Sequence, residues 1–442
     1  MSFSSIGTYL FNSSGFSAGV ADSPYDDLAS SSASQEPTKA SITVKKLCEN
    51  KTSLSTKALY AASLNKVIAV LKQQGGIGLD EDDNLILPMR METAEIFFGY
   101  ICDTSDDEKG LAHSTVNGYW NAINDAHRKA NIDVDVTLSK VMREMLGGYK
   151  KVIAQKKHIG VMEIREGKVS MPVVVYKQLC KRSLLPMRDR TTYACTIIHL
   201  FMVLCWNMFA RSCSVGDLRT AHFAWNNDAL VIRLGKHKGD QAGESVEPKY
   251  LFANPFAPEI CPVLAMGLYV FTMAARSSRE DQGLLFLGKP YDVMRKWLPE
   301  NLEYVQGLGH EANDFGTHSF RKGVTTHAAG FICGPSMSSI FLRAGWSLGQ
   351  VQQRYIAHTP GGDQFCGRVA SGLTFARGSD FCVLPPHFED SQVLTDAEWK
   401  HILPRHESYE NGFKSCLPFF LASVVYHWDW ISAKDGDGKC WK

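Results

Sequence analysis

Over 442 residues there is no CxxC pair, no HExxH and no cysteine set at zinc-finger spacing from histidines, although twelve cysteines are scattered from Cys48 to Cys440. Cysteines placed like this read as free or buried thiols of a reducing compartment, so neither a disulfide framework nor a metal site is expected. Charge of one sign is not in excess either: 47 Lys and Arg stand against 46 Asp and Glu, a formal net charge of +1. That balance neither supports nor excludes a nucleic-acid partner, because local patches decide such binding. The N-terminus MSFSSIGTYLFNSSGFSAG has no basic segment followed by an apolar one, so no secretory signal is expected and an intracellular protein is. No apolar run reaches the roughly 20 residues of a membrane span. The nearest candidate, ACTIIHLFMVLCWNMFA at 194–210, carries His199 and Asn207 and reads as a buried core helix that leads into Arg211. A membrane partner is therefore not expected.

What is present is a globular composition, 45% hydrophobic and 21% charged, at a length that suits two or three domains. Residues 1–40 are rich in Ser, Ala and Asp with little apolar periodicity, and read as a disordered tail. Residues 41–157 hold four or five helical patterns and no strand signal, the mark of a small all-helical domain. The first pattern places Leu59, Ser63, Val67, Val70 and Leu71 near one face and stops at Gly75 and Gly76; the third takes Ser114 as N-cap. Between 140 and 168 the chain is at its most basic, with Lys140, Arg143, Lys150, Lys151, Lys156 and Lys157 leading into a linker at 158–169. Such a stretch is either a solvated helix face or a phosphate-contacting hinge.

A second domain at 170–373 opens on a capped helix at SMPVVVYKQLCKRSL, with Pro172 in its first turn. Short β-like runs at Phe223 to Trp225, Leu230 to Leu234 and Pro248 to Phe252 predict a small antiparallel sheet among helices. The fold class expected is thus mainly α: a helical domain, then a mostly helical mixed α/β domain. Residues 374–442 form a C-terminal extension, with intramolecular packing as one reading and an oligomerisation element as the other.

Two motifs fall away on their chemistry. GLLFLGK at 283–289 has the spacing of a phosphate-binding loop, but Pro290 stands where a magnesium-holding Ser or Thr is needed. Carboxylate clusters are missing near the Arg, His and Tyr residues of interest, which removes support for a two-metal nuclease. What remains is a set of anion-binding donors with a nucleophile. Arg211 follows the apolar helix, and Lys236 and Lys238 lie in a glycine-flanked hairpin. His318 and Arg321 sit three apart on one helix face, and Trp346 stands at the start of a helical segment that carries Tyr355. Singly, each has a structural reading as a helix cap, a buried histidine or a core aromatic.

In this order and at these spacings the chain resembles the tyrosine recombinase (phage integrase) family, whose signature is Arg, a hairpin Lys, His-x-x-Arg, His or Trp, and Tyr. The resemblance covers about residues 41–360. KGDQAGE, HSFRKG, RAGWSLGQVQQRYI and LPPHF look most like the Crypton-type recombinases of eukaryotic transposons. It implies a core-binding domain at 41–157, a catalytic domain at 170–373 and catalytic residues Arg211, Lys238, His318, Arg321, Trp346 and Tyr355. Lys238, followed by Gly239, Asp240 and Gln241, suits the pattern better than Lys236. It also implies duplex DNA as partner, dimers pairing into a tetramer, nuclear residence, and no metal, ATP or other cofactor. A non-catalytic DNA-binding protein of the same fold and a type IB topoisomerase are the alternatives. Trp346 in place of a second histidine and the low net charge are departures, the second of which leaves DNA steering to the 140–168 stretch.

Overall fold

The computed structural model describes residues 39–103, 110–164, 167–185, 192–235, 243, 247–273, 283–302, 309–349, 356–374, 378–389 and 394–434. Residues 1–38 of the expected tail, the hairpin lysines Lys236 and Lys238, and Tyr355 lie outside the described residues, while Lys39 and Ala40, also expected in the tail, open the first helix. The chain divides into two compact units, Met1–Ile164 and Arg165–Lys442, each built mostly of helices.

In the first unit the helices are α1 (Lys39–Asn50), α2 (Leu54–Gln73), α3 (Met91–Cys102), α4 (His113–Ala130) and α5 (Val136–His158). Side-chain oxygens satisfy otherwise orphaned first-turn amides: Ser53 accepts from Thr56 N–H at 3.2 Å and Asp135 from Leu138 N–H at 2.8 Å. The apolar faces meet in one core through Val70 and Leu71 of α2, Phe97 of α3, Ile123 of α4, and Met142 and Tyr149 of α5. Leu59 does not join them and is 63% exposed, because the residues that α2 buries all come from its second half. Ser114 is not the N-cap of α4 either. The chain is held upstream where Tyr149 Oη donates to Leu111 O at 2.7 Å, and the helix starts at His113 with Ala112 as its cap. His127 is a satisfied core histidine, its Nδ1–H donating to Ile123 O (2.9 Å) and its Nε2 accepting Met89 N–H (3.0 Å).

The second unit is organised around α7 (Thr192–Asn207), preceded by α6 (Val173–Ser183). The apolar run forms a buried helix, and no helix among the described residues is long and apolar enough to cross a membrane. Its Trp206 ring stacks on Tyr176 of α6, centroids 4.1 Å apart. Its His199 is paired with Ser183 Oγ at 3.0 Å, and burial pushes the imidazole down to about 3, so it stays neutral in the core. The chain then continues through α8 (Ser212–Gly216) into β1 (Phe223–Asn226), β2 (Ala229–Ile232) and β3 (Lys249–Phe252). These form one antiparallel sheet in the order β1-β2-β3, with Phe223 opposite Ile232 and Ile232 opposite Lys249.

Helices α9 (Pro262–Met273), α10 (Pro290–Glu300) and α11 (Thr317–Ala329) pack on α7. They are followed by α12 (Met337–Ala344), α13 (Pro360–Ala370), α14 (Asp396–Ile402), α15 (Leu417–Tyr426) and α16 (Trp428–Lys434). α13 lies so close to β3 that a Cβ at Gly367 would stand 2.1 Å from Tyr250 O, so only glycine fits there. Trp399, Leu403, Phe413, Leu417, Phe420 and Ile431, all beyond position 373, belong to the same core as α7 and α9.

Candidate functional site

The end of α7 sets the site. After Asn207 the chain reverses through Phe209, whose φ of 55° is the left-handed region that a bulky side chain seldom occupies. Full burial of the ring, with the Arg343 guanidinium 5.3 Å from its centroid, holds it there. Two residues later Arg211, in extended conformation at the start of α8, faces a cleft.

The cleft is lined by Phe209, Ala210, Arg211, Ser214 and Leu234, then by Lys249, Arg321, Arg343, Ala344 and Gly345. Four of these are cationic residues, and none of the described lining residues is Asp or Glu. Arg321 rises from α11, is 7% exposed, and donates through Nη2 to the carbonyl of Ala344. Burial brings its guanidinium down to about 10, and the charge of Arg211 pushes the same way. Arg321 therefore remains a cation at neutral pH, and its repulsion from Arg211 is what a bound anion would relieve.

The end of α12 is a Schellman turn. Gly345 takes the left-handed conformation (φ 62°, ψ 41°), its N–H bonding to Leu342 O at 2.9 Å, while Trp346 N–H bonds to Phe341 O at 2.9 Å. Two further carbonyls of this helix end accept from cations: Ala344 O from Arg321 and Arg343 O from Lys249 Nζ. The turn also directs Trp346 back, so that its ring packs edge-on against Phe341 and stands 5.4 Å from the Arg321 guanidinium. Because Gly345 ends the helix, residues 346–349 are irregular, and the rest of the helical segment expected up to Tyr355 lies outside the described residues.

Behind the cleft Arg343 points inward. Its Nη1 donates to Asp363 O (3.0 Å) and to Asp363 Oδ2, and its Nη2 to Asn207 O (2.7 Å) and Tyr250 O (3.0 Å). Burial alone would raise the Asp363 carboxyl. Arg343, His358, Lys249 and the Tyr250 N–H outweigh it and hold that carboxyl at about 2.

Arg211, Arg321 and Trp346 are thus brought together. His318 is exposed on the first turn of α11, on the same helix face as Arg321 but not in the cleft lining. Lys238 and Tyr355 fall outside the described residues, yet their flanks are placed. Leu234 and Lys249, on either side of the β2–β3 connection, both line the cleft. A Cβ on Gly243 (φ 72°) would come within 2.6 Å of Gly235 O, so glycine is required where the two arms of that connection meet. Lys249, Arg343 and Asp363 were not singled out by sequence reading. The available signal was a lysine heading the otherwise apolar KYLF and an arginine on the buried face of α12.

In the first unit, Lys140, Arg143, Lys150 and Lys151 are exposed on α5. At 3.6 residues per turn Lys140 and Lys151 fall opposite the buried Leu138, Met142, Leu146, Tyr149 and Ile153, and Arg143 and Lys150 flank that buried face. Lys156 and Lys157 are half-buried. Among the described residues no group of three His, Cys, Asp or Glu is placed to hold a metal ion, and the described cysteines are free.

Fold and cleft together define a mostly helical protein with a small antiparallel sheet and, in its second unit, a cationic cleft whose described lining holds no carboxylate. No family model matches the chain, and no curated protein matches it. Among solved structures it is similar to a Flpe–Holliday junction complex at 12% identity, covering 86% of this chain and 99% of that one, with a TM-score of 0.40. An FLP recombinase–Holliday junction complex matches at 11% identity over 87% and 99% of the two chains, TM-score 0.39. XerH site-specific recombinase bound to difH substrate in a pre-cleavage complex matches at 12% identity over 67% and 74%, TM-score 0.37. None of these likenesses carries a residue's role over to this chain.

Proposed function

We propose that the protein breaks and rejoins DNA through a covalent tyrosyl link, as a tyrosine recombinase. The observation that carries this reading is the convergence of Arg211 and Arg321 in a cleft whose described lining has no carboxylate, with Trp346 beside Arg321. Guanidinium forks match the nonbridging oxygens of a phosphodiester, and repulsion between the two empty cations is converted to attraction when that anion enters.

In this mechanism the Tyr355 oxygen attacks phosphorus, the bond to the 5′ oxygen breaks, and a 3′-phosphotyrosyl link and a 5′-hydroxyl result. Lys238 gives the departing oxygen its proton, and His318 assists proton transfer at the tyrosine. Attack by a 5′-hydroxyl from a second duplex reverses the step and exchanges strands. The barrier reduction required is on the order of 20 kcal/mol, of which each arginine supplies roughly 3 to 4.

The same reading takes residues 41–157 as a core-binding domain that clasps duplex DNA through Lys140, Arg143, Lys150, Lys151, Lys156 and Lys157, and 158–169 as its linker to a catalytic domain at 170–373. Dimers on each site pair into a tetramer, with residues 374–442 as a contributor. The motifs HSFRKG, KGDQAGE and RAGWSLGQVQQRYI favour a Crypton-type transposon recombinase working in the nucleus.

The test is a nicked suicide substrate carrying a bound site. Wild type is expected to trap a covalent adduct, and Tyr355→Phe to bind equally and trap none. Specific binding by wild type without an adduct selects the non-catalytic reading instead. Relaxation of supercoiled DNA without two-site exchange selects a topoisomerase.

A further inference from the structure

The cation that the sheet itself delivers to the cleft is Lys249. It opens β3 opposite Ile232, and Tyr250, Leu251 and Phe252 behind it are buried, so its backbone is held by sheet pairing and core together. Its Nζ donates to Arg343 O, next to the Ala344 carbonyl that Arg321 uses. Two cations thus share the C-terminal end of α12, where unpaired carbonyls and the negative end of the helix dipole favour positive charge. An ammonium has three N–H donors, and the bond to Arg343 O uses one.

We propose that Lys249 is the third cationic ligand of this cleft, holding an entering oxyanion together with Arg211 and Arg321. The inference rests on reading the cleft as a phosphate site. Among the described residues, the charged and titratable groups around Lys249 are Arg211 beside α8, Arg321 on α11, Arg343 on α12, and Asp363 and Cys366 on α13. Burial brings the Lys249 ammonium down to about 8, against the pull of Asp363 and with help from Arg343 and Arg321. The charge of Asp363 is already engaged by Arg343, and burial raises the Cys366 thiol to about 11, so it is neutral here. An incoming anion supplies the negative charge that the lysine lacks and raises its pKa again. The empty cleft loses its third charge as pH rises through about 8, and binding above that pH takes up a proton.

The experiment is calorimetric titration of the full chain with inorganic sulfate, which keeps its charge throughout, in buffers of different ionisation enthalpy. Wild-type affinity is expected to fall about tenfold from about pH 7 to about pH 9, with close to one proton taken up at the upper end. Lys249→Arg should bind at both values with no proton uptake, which shows that the charge and not the fold was at issue. Lys249→Met should bind weakly at both. A Lys249→Met protein with the wild-type affinity and pH profile overturns the assignment of Lys249, while loss of binding in Arg321→Met in the same series leaves the cleft as an anion site. No sulfate binding by wild type at any pH overturns the cleft itself, and the proposed function with it.

Discussion

Arg343 and Asp363 form an ion pair whose side chains are 0% and 1% exposed, with Nη1 bonded to both the carboxylate and the backbone carbonyl of the same residue. An intact pair of this kind offsets its own desolvation, whereas a broken one leaves a buried charge uncompensated. Asp363→Asn is therefore expected to cost about 3 to 5 kcal/mol in urea unfolding at neutral pH. The double variant Arg343→Met/Asp363→Leu should be more stable than either single variant. A loss within about 0.5 kcal/mol for Asp363→Asn would show that the pair carries no stability.

Acid should destabilise the second unit in two windows. His199 is held down to about 3 from 6.5, so the native state resists a proton that the unfolded chain accepts. Its contribution is intact above the unfolded value and is lost as pH falls from 6.5 towards 3. The Asp363 carboxyl is depressed from 3.8 to about 2, so its contribution is present above the former and lost as pH falls through the latter. The urea midpoint of His199→Leu should vary less with pH in the upper window than that of wild type. Identical slopes there would mean that His199 is not the group being titrated.

Arg321→Lys keeps a charge but loses the planar fork, so adduct formation on the suicide substrate should slow by about a hundredfold to a thousandfold. Trp346→Phe keeps a ring for the guanidinium but has no indole N–H, and a fall of about tenfold or less is expected. Wild-type rates in Arg321→Lys would remove bidentate recognition from the mechanism.

Replacing Lys140, Arg143, Lys150 and Lys151 together with alanine should weaken duplex binding without regard to sequence. The slope of log affinity against log salt should become shallower by about 3 to 4, close to one unit for each lost phosphate contact. Fluorescence anisotropy over a salt series measures it. An unchanged slope would return this face of α5 to plain solvation.

Where residues obey a local rule, the structure was legible beforehand. The apolar run before Arg211 is α7, and the short β-like run around Leu230 sits within the three-stranded sheet. Arg211 and Arg321 were picked out at 110 residues' separation and stand at one cleft. What was not legible depends on distant partners. Leu59 has helical spacing but lies beyond the reach of the core, and the register of α4 follows an anchor at Tyr149. The stop of α12 at Gly345 was not legible because a Schellman turn is recognised by its backbone, not by its spacing. Lys249 became visible only once β3 set it beside α12.

Arg343 ties Asn207, Tyr250 and Asp363 to α12, and these lie on the elements that carry Arg211, Lys249 and Arg321 or pack against them. The cleft is therefore a single-point-of-failure assembly. One substitution at Arg343 would misalign all three cations at once, whereas replacing Lys249 or Arg321 singly removes one cation and leaves the others in place.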